Sequence, residues 1–253
     1  MSEPRTWPQT QLTDDGYVVV QQVFSSEQTT AALGALELAF ASDPDGSTLR
    51  TEAGSIYGAR NLLKMWPSAA QAWGQSPLPE IVEEVLGRAF GLVRVLFFDK
   101  PPEQSWALPW HKDLTIAVKD NRLSSSSFHK PTFKIGIPHV EAPQWLLKNM
   151  LTLRWHLDDM TEENGPLRVV PGSHLSGKST AAETRSPVTI LGRRGDVLLM
   201  RPLLSHCSYR SHEDTKRHRR ILHFEFAGVE TLPDGYAWHD FLHGREAASK
   251  HPS

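Results

Sequence analysis

From about residue 92 onward the chain is a succession of short β-branched and aromatic runs, each broken by glycine, proline or polar residues. This punctuation limits the fold more than any other property of the sequence. The runs at 92–98, 150–157, 167–170, 187–191, 196–200 and 221–226 are strand-sized. Strands this short, set this close together, do not leave room for the crossover helices of a parallel sheet. They predict an antiparallel sandwich or barrel. Residues 150–157 alternate: Thr152, Arg154 and His156 share one face, Leu151, Leu153, Trp155 and Leu157 the other. One face therefore packs in the core, and the polar face is expected to look into a cavity.

Helical signals come first in the chain. A short strand, residues 17–20, precedes Ser25-Ser26-Glu27-Gln28, where Ser25 is the expected N-cap and Gln28 sits in the capping-box position. The helix it starts is expected to run to about residue 41. Residues 42–58 read as a loop, and a second helix is expected over 79–90, with Ile81, Val82, Val85 and Leu86 on one face. The whole of residues 1–253 reads as a single domain, mainly β with flanking helices, its helical part at about 25–90. Residues 119–149 show little periodicity, and a connection of that length inside a compact domain is either a lid over a site or an irregular insertion.

Composition excludes several classes of function. With 253 residues, 39% of them apolar, the chain can bury a sizeable core. Its net charge is −2, and the one basic cluster, 216–220, is too local for a nucleic-acid-binding stripe. The single cysteine, Cys207, excludes an internal disulfide and any cysteine-rich metal site, which fits a reducing cytoplasm. No stretch reaches the roughly 18 apolar residues of a membrane span, and the N-terminus lacks a signal-peptide pattern. The expectation is a cytoplasmic protein without nucleic-acid or membrane partners. Oligomeric state is not encoded in any pattern here.

The chemistry concentrates in two places. Leu108-Pro109-Trp110-His111-Lys112-Asp113 holds an HxD, and Leu204-Ser205-His206-Cys207-Ser208 supplies a distant histidine. On a strand, residues two apart face the same side, so His111 and Asp113 can reach one ion while Lys112 turns away. Two imidazoles and one carboxylate form the facial triad of non-haem iron(II) sites, which leaves positions open for other ligands. An HxD by itself is a weak signal in a chain with 12 histidines.

Further motifs stand in order around it. They are Asp99-Lys100-Pro101-Pro102 before the HxD, the run from Glu163-Asn164-Gly165-Pro166 to Pro171-Gly172-Ser173-His174, and Arg194-Gly195-Asp196-Val197 ahead of His206. This ordered set, spread over residues 12–227, resembles the phytanoyl-CoA dioxygenase family. The resemblance implies a double-stranded β-helix (jelly-roll) core and a dioxygenase using Fe(II), 2-oxoglutarate and O2 on a small-molecule substrate, with release of succinate and CO2. It implies His111, Asp113 and His206 as metal ligands, and Arg219 with Ser208 as holders of the far carboxylate of 2-oxoglutarate. A guanidinium suits that task because it pairs bidentately with a carboxylate. Arg217 and Arg220 compete with Arg219, since thirteen residues separate His206 from Arg219 and the turn between them is longer than usual in the family.

Thr152 is a further candidate for co-substrate contact, with Arg154 and His156 beside it. The acid at position 113 argues for hydroxylation over halogenation, since family halogenases carry a small residue there. His174 is expected to close the turn at 171–173, His223 to sit on the inner face beside Arg219, and Cys207 to be a small buried hydrophobe. Trp106, Trp110 and the 57–62 loop are possible pocket walls. Two alternatives stay open: a non-catalytic ligand-binding module on the same fold, and a cupin-like metalloenzyme that does not use 2-oxoglutarate. The sequence does not identify the substrate.

Overall fold

The computed structural model describes residues 7–43, 46–179 and 185–244. The short runs pair into two facing antiparallel sheets. In the larger, the strand order is Tyr17–Val20, Val197–Met200, Met150–His156, Ile221–Ala227, Gly91–Phe98, Ile56–Ala59 and Thr48–Arg50, with Leu242–His243 also paired to Gly91–Phe98. The smaller runs Val188–Thr189, Leu167–Val169, His206–Ser208, Leu108–His111. Most neighbours in the sheets are far apart in sequence, so the chain crosses repeatedly between them, as a jelly roll requires.

Alternation along the central strands decides which side is packed. Leu153, Trp155, Leu222, Phe224 and Phe226 point outward from the large sheet and are buried under the helices, against Leu36, Leu62, Trp73, Ile81 and Val82. Trp73 and Phe226 meet edge to face with ring centroids 4.7 Å apart, a favoured geometry for aromatic quadrupoles. The opposite parity, Arg154 and His223 among it, faces the small sheet. A second apolar cluster, including Leu167, Val169, Leu198, Met200 and Leu204, fills part of the space between the sheets. The core thus supports the cavity from behind and from one side.

The helix Ser26–Ala41 starts as expected. Ser25 Oγ accepts from the Gln28 backbone N–H, and the Gln28 side chain accepts from the Ser25 N–H. Three expectations are corrected. The second helix covers Leu78–Leu86 and stops there because Gly87 leaves helical space at φ +83°. Residues 42–58 are not all loop, since Thr48–Arg50 and Ile56–Ala59 form a hairpin on the edge of the large sheet.

Residues 119–149 are not all irregular either, since regular structure begins at His129. His129–Lys134 pairs with Ile137–Glu141, which pairs with Thr115–Ala117, and the short helix Gln144–Lys148 follows. The segment has apolar support of its own from Phe128, Val140, Leu146 and Leu147. Its first strand is an edge, exposed along almost its whole length. That exposure, with Pro131 and Pro138 inside the hairpin, conceals the period-2 pattern.

Truncating the aromatic contact beneath the large sheet tests this packing. Phe226 is fully buried, so Phe226→Ala should lower the unfolding free energy by about 3–5 kcal/mol. Urea titration reads the change directly, and a loss below about 1 kcal/mol would contradict a tightly filled cluster.

Candidate metal and co-substrate site

Cross-strand register builds the site. His206 is the direct partner of His111 in the small sheet, and their rings lie 4.2 Å apart, centroid to centroid. The ladder ends at His111. Asp113 lies two residues beyond it, where its N–H donates to Pro202 O at 2.9 Å instead of continuing the sheet. The HxD therefore works by a strand end and a tether to the loop before His206, not by one regular strand as expected. One ligand atom each from His111, Asp113 and His206 lies within 4.8 Å of the others, and His206 Nε2 is 3.7 Å from Asp113 Oδ2.

Both imidazoles are oriented alike. His111 Nδ1 is 2.8 Å from Pro109 O, and His206 Nδ1 is 2.9 Å from Leu204 O. A carbonyl only accepts, so each Nδ1 carries the proton and each Nε2 presents its lone pair to the cluster. This backbone bond to the far nitrogen is the usual way a histidine is held for a metal. Burial, opposed by Asp113, pushes His206 down to about 4, which keeps the ring neutral near pH 7. Burial would raise the Asp113 carboxyl, but His206, His223, His111 and Arg154 outweigh it and hold it below its ordinary value. Neutral imidazoles with an ionised carboxylate are the donor set a divalent cation requires. The residues present therefore fit a metal.

The cluster opens onto a cavity of about 520 Å³ between the sheets. Arg219, Arg154, Ser208, His223, Trp106 and Tyr57 line it along with the three cluster residues. Strand parity separates the competing arginines. Arg219 faces the cavity, whereas Arg220 is bound to Asp158 at 2.7 and 2.9 Å and Arg217 lies at the surface, 3.5 Å from Glu163.

Arg154 and Arg219 are buried in the cavity wall without enough acid. Burial, then Arg154, push Arg219 down to about 9, and burial takes Arg154 to about 10. Among the described residues, Arg219 Nε has no hydrogen-bond partner. Close by, Lys100 is fully buried and donates to Ser208 Oγ at 2.9 Å and to Tyr209 O. Burial and the Arg219 charge press its ammonium down to about 6. Buried cations that repel one another in this way make a strong receptor for an anion.

Other expectations meet varied outcomes. Thr152 and His156 are buried but do not line the cavity; on that strand face only Arg154 does. His223 lies on the inner face, its Nε2 3.4 Å from Glu225. His174 does not close the 171–173 turn on itself; its Nε2 lies 3.1 Å from Thr13 O and ties the turn to the N-terminal segment. Cys207 is buried. Trp110 is exposed and outside the cavity lining, while Tyr57, Gly58 and Arg60 are part of it. Lys100 escaped sequence reasoning, although its place in Asp99-Lys100-Pro101 put it within a quoted motif.

The asparagine of the signature run has a clear task. Asn164 Nδ2 donates to Asp159 O and His218 O, at 2.7 and 3.0 Å. It thereby holds the residue before Arg219. Gly165 beside it takes φ +65°, and a Cβ there would meet Tyr209 O at 2.6 Å, so the turn admits no side chain. His218 Nδ1 also bonds Asp99 Oδ2 at 2.7 Å, and Asp99 Oδ1 accepts from the Arg219 N–H.

A jelly roll carrying two histidines and a carboxylate at one rim is the architecture of non-haem iron oxygenases. The comparisons with known proteins agree. The family model for phytanoyl-CoA dioxygenase matches residues 12–219, and the chain belongs to that family. Ectoine dioxygenase of Sphingopyxis alaskensis is 25% identical over 175 residues, 67% of this chain and 50% of that protein. The chain thus matches about half the length of this curated relative. Among solved structures, EctD from S. alaskensis with bound Fe superposes with a TM-score of 0.66 at 19% identity, over 86% of this chain and 74% of that one. The non-haem α-ketoglutarate-dependent epimerase SnoN from nogalamycin biosynthesis covers 96% of both chains at 17% identity, TM-score 0.65. At such identities these structures establish the shared fold.

The bond from His218 to Asp99 should be visible in the pH dependence of stability. That bond holds His218 above its ordinary 6.5. A histidine favoured in its charged form adds stability that is complete below 6.5 and is lost as pH rises through the raised folded value. The denaturation midpoint of the wild type should therefore fall across that interval, and His218→Gln should fall less. Identical slopes would show that His218 contributes nothing to them.

Proposed function

We propose that this chain is an Fe(II)- and 2-oxoglutarate-dependent dioxygenase that hydroxylates a C–H bond of a small-molecule substrate. One observation carries the reading: a metal-competent His111–Asp113–His206 cluster shares one cavity with buried, acid-poor arginines. A metal alone does not call for Arg154 and Arg219; a metal-chelating dicarboxylic acid does. The bound metal and co-substrate supply O2 activation, coupled to conversion of 2-oxoglutarate to succinate and CO2.

The residues of the chain supply position and exclusion. His111, Asp113 and His206 would hold the metal at one rim of the cavity. Arg219 takes the far carboxylate of 2-oxoglutarate as a bidentate partner, with Ser208 as a second polar contact and Lys100 behind it. Arg154, close enough to Asp113 to feel its charge, completes a positive floor. Trp106 and Leu96 help wall the cavity from water. Substrate and O2 enter the remaining volume. The carboxylate at position 113 fills the place that a halide would need, so hydroxylation is the reaction this site favours. No helix among the described residues is long and apolar enough to cross a membrane, and a freely diffusing substrate in the cytoplasm suits the site.

Anaerobic addition of Fe(II) and 2-oxoglutarate to the purified chain tests the assignment. A weak visible charge-transfer band should develop in the wild type. Asp113→Ala should abolish it, and Arg219→Ala should weaken 2-oxoglutarate binding by about tenfold or more, the worth of a charge-assisted bidentate contact. Iron binding without any band would favour a metalloenzyme that does not use 2-oxoglutarate, and no iron binding would favour a ligand-binding module.

A further inference from the structure

A second group of cations stands in the cavity wall, on elements other than those bearing Arg154 and Arg219. Arg60 follows the strand Ile56–Ala59, Arg94 lies within Gly91–Phe98, and Lys134 ends the strand His129–Lys134. All three line the inner cavity. Arg60 and Arg94 also line an adjoining cleft of about 1050 Å³, so they stand where the two spaces meet.

The acids nearby do not balance them. Glu225 lies 3.7 Å from Arg94 and 3.4 Å from His223 Nε2, so its charge is already shared. Glu141 is held by Lys130 and Lys178, each at 2.7 Å. Lys134 donates to the neutral Thr115 Oγ1 at 2.7 Å, and among the described residues Arg60 makes no hydrogen bond or ion pair. Burial and the Arg94 charge lower both Arg60 and Lys134 from their ordinary values. If these were merely solvated surface charges, they would spread apart into water and keep their hydration. Here they converge on a partly desolvated wall, and the co-substrate carboxylates already have Arg219 and the metal.

The convergence is also built in. Asn61, next to Arg60, bridges Ser47 Oγ and Ile135 O, at 3.1 and 3.4 Å. Ile135 and Gly136 form the tip of the hairpin that carries Lys134, both at positive φ. Docking of the hairpin tip onto Asn61 therefore brings Lys134 and Arg60 to the same wall.

We propose that Arg60 and Lys134, with Arg94 behind them, bind the acidic group of the substrate, so that the molecule oxidised is an organic anion. Its carboxylate or phosphate sits at the junction of cavity and cleft, and its body reaches inward to His111, Asp113 and His206. The 129–141 hairpin is then a selector of substrate charge. The claim about which molecule is oxidised rests on the oxygenase reading above; the anion site itself does not.

The test uses the purified full chain with 2-oxoglutarate in modest excess, so that the Arg219 end is occupied. Sodium phosphate and sodium acetate are titrated separately, with ionic strength held constant by sodium chloride, and the melting temperature is followed. At least one of the two should raise it in the wild type, since a ligand that binds only the folded state stabilises it. Phosphate as the stronger probe would indicate a phosphoryl group, acetate a carboxylate.

Arg60→Gln and Lys134→Gln should each weaken the response by about tenfold or more in apparent Kd. The exposed control Arg88→Gln should retain it. Calorimetric binding of 2-oxoglutarate should be unchanged in Arg60→Gln, which separates loss of the anion site from loss of the fold. Absence of any stabilisation beyond that given by chloride, or an equal response in Arg60→Gln and Lys134→Gln, would overturn the proposal. Failure of 2-oxoglutarate to bind the wild type would remove the oxygenase reading alone, because the phosphate and acetate titrations can be run without it.

Discussion

The site depends on one register. His206 pairs with His111 across the small sheet, although four other strands of the two sheets lie between them in sequence. A slip by one residue would turn one imidazole to the far face of the sheet, and no side-chain adjustment could restore three convergent ligands. The register is protected from several sides. Leu167–Val169 pairs with His206–Ser208 on its other edge, the Asp113 N–H is tied to Pro202 O, and the Val170 N–H donates to Ser205 O. The signature run after Asn164 thus acts on the metal site at a distance, by fixing the strand on which His206 sits.

Charge is the second organising constraint, and it runs against stability. Arg154, Arg219 and Lys100 are all nearly inaccessible to water; burial lowers each from its ordinary value, and neighbouring cations lower Arg219 and Lys100 further. A fold selected for stability alone would have apolar residues there. The protein contains the strain through backbone anchors: Asp99 accepts from the Arg219 N–H, and Lys100 and Arg219 exchange backbone hydrogen bonds. Among the described residues the Arg219 Nε is left without a hydrogen-bond partner, pre-positioned for a ligand.

Legibility in the sequence followed the physics of each feature. His111, Asp113 and His206 could be read because few side chains bind metals, and the two-residue spacing had a geometric meaning. Arg219 was favoured over Arg217 and Arg220 by the family resemblance alone, and parity separates it from Arg220 once the structure shows Leu222, Phe224 and Phe226 sharing a face beneath the helices. Parity tells face but not depth, which is why Thr152 and Arg154 looked equivalent although only Arg154 reaches the cavity. Lys100 was hidden because lysines are seldom fully buried, and nothing local marks one that is. The hairpin after His129 was hidden because an exposed edge strand needs no apolar alternation. Its partner, the wall formed with Arg60, joins residues far apart in the chain, and only the tertiary fold brings them together.

Lys112, between two cluster residues, turns away from the metal side and is buried. Its ammonium donates to Ser173 O, Gly177 O and Ser179 O and to Ser176 Oγ, at 2.7–3.0 Å. A loop some sixty residues downstream therefore grips the ligand-bearing segment from its blind side, and Ser173 Oγ in the same loop accepts from the Ser205 N–H, next to His206. Both halves of the metal cluster are moored to a single short turn. Lineages descended from this protein are thus not free to change that turn and position 112 independently: a neutral residue at 112 leaves three inward-pointing carbonyls with no cation, and a reshaped turn leaves a buried ammonium with no acceptors. The two should covary as a unit, and drift there should register as altered metal retention before any residue of the cluster has changed.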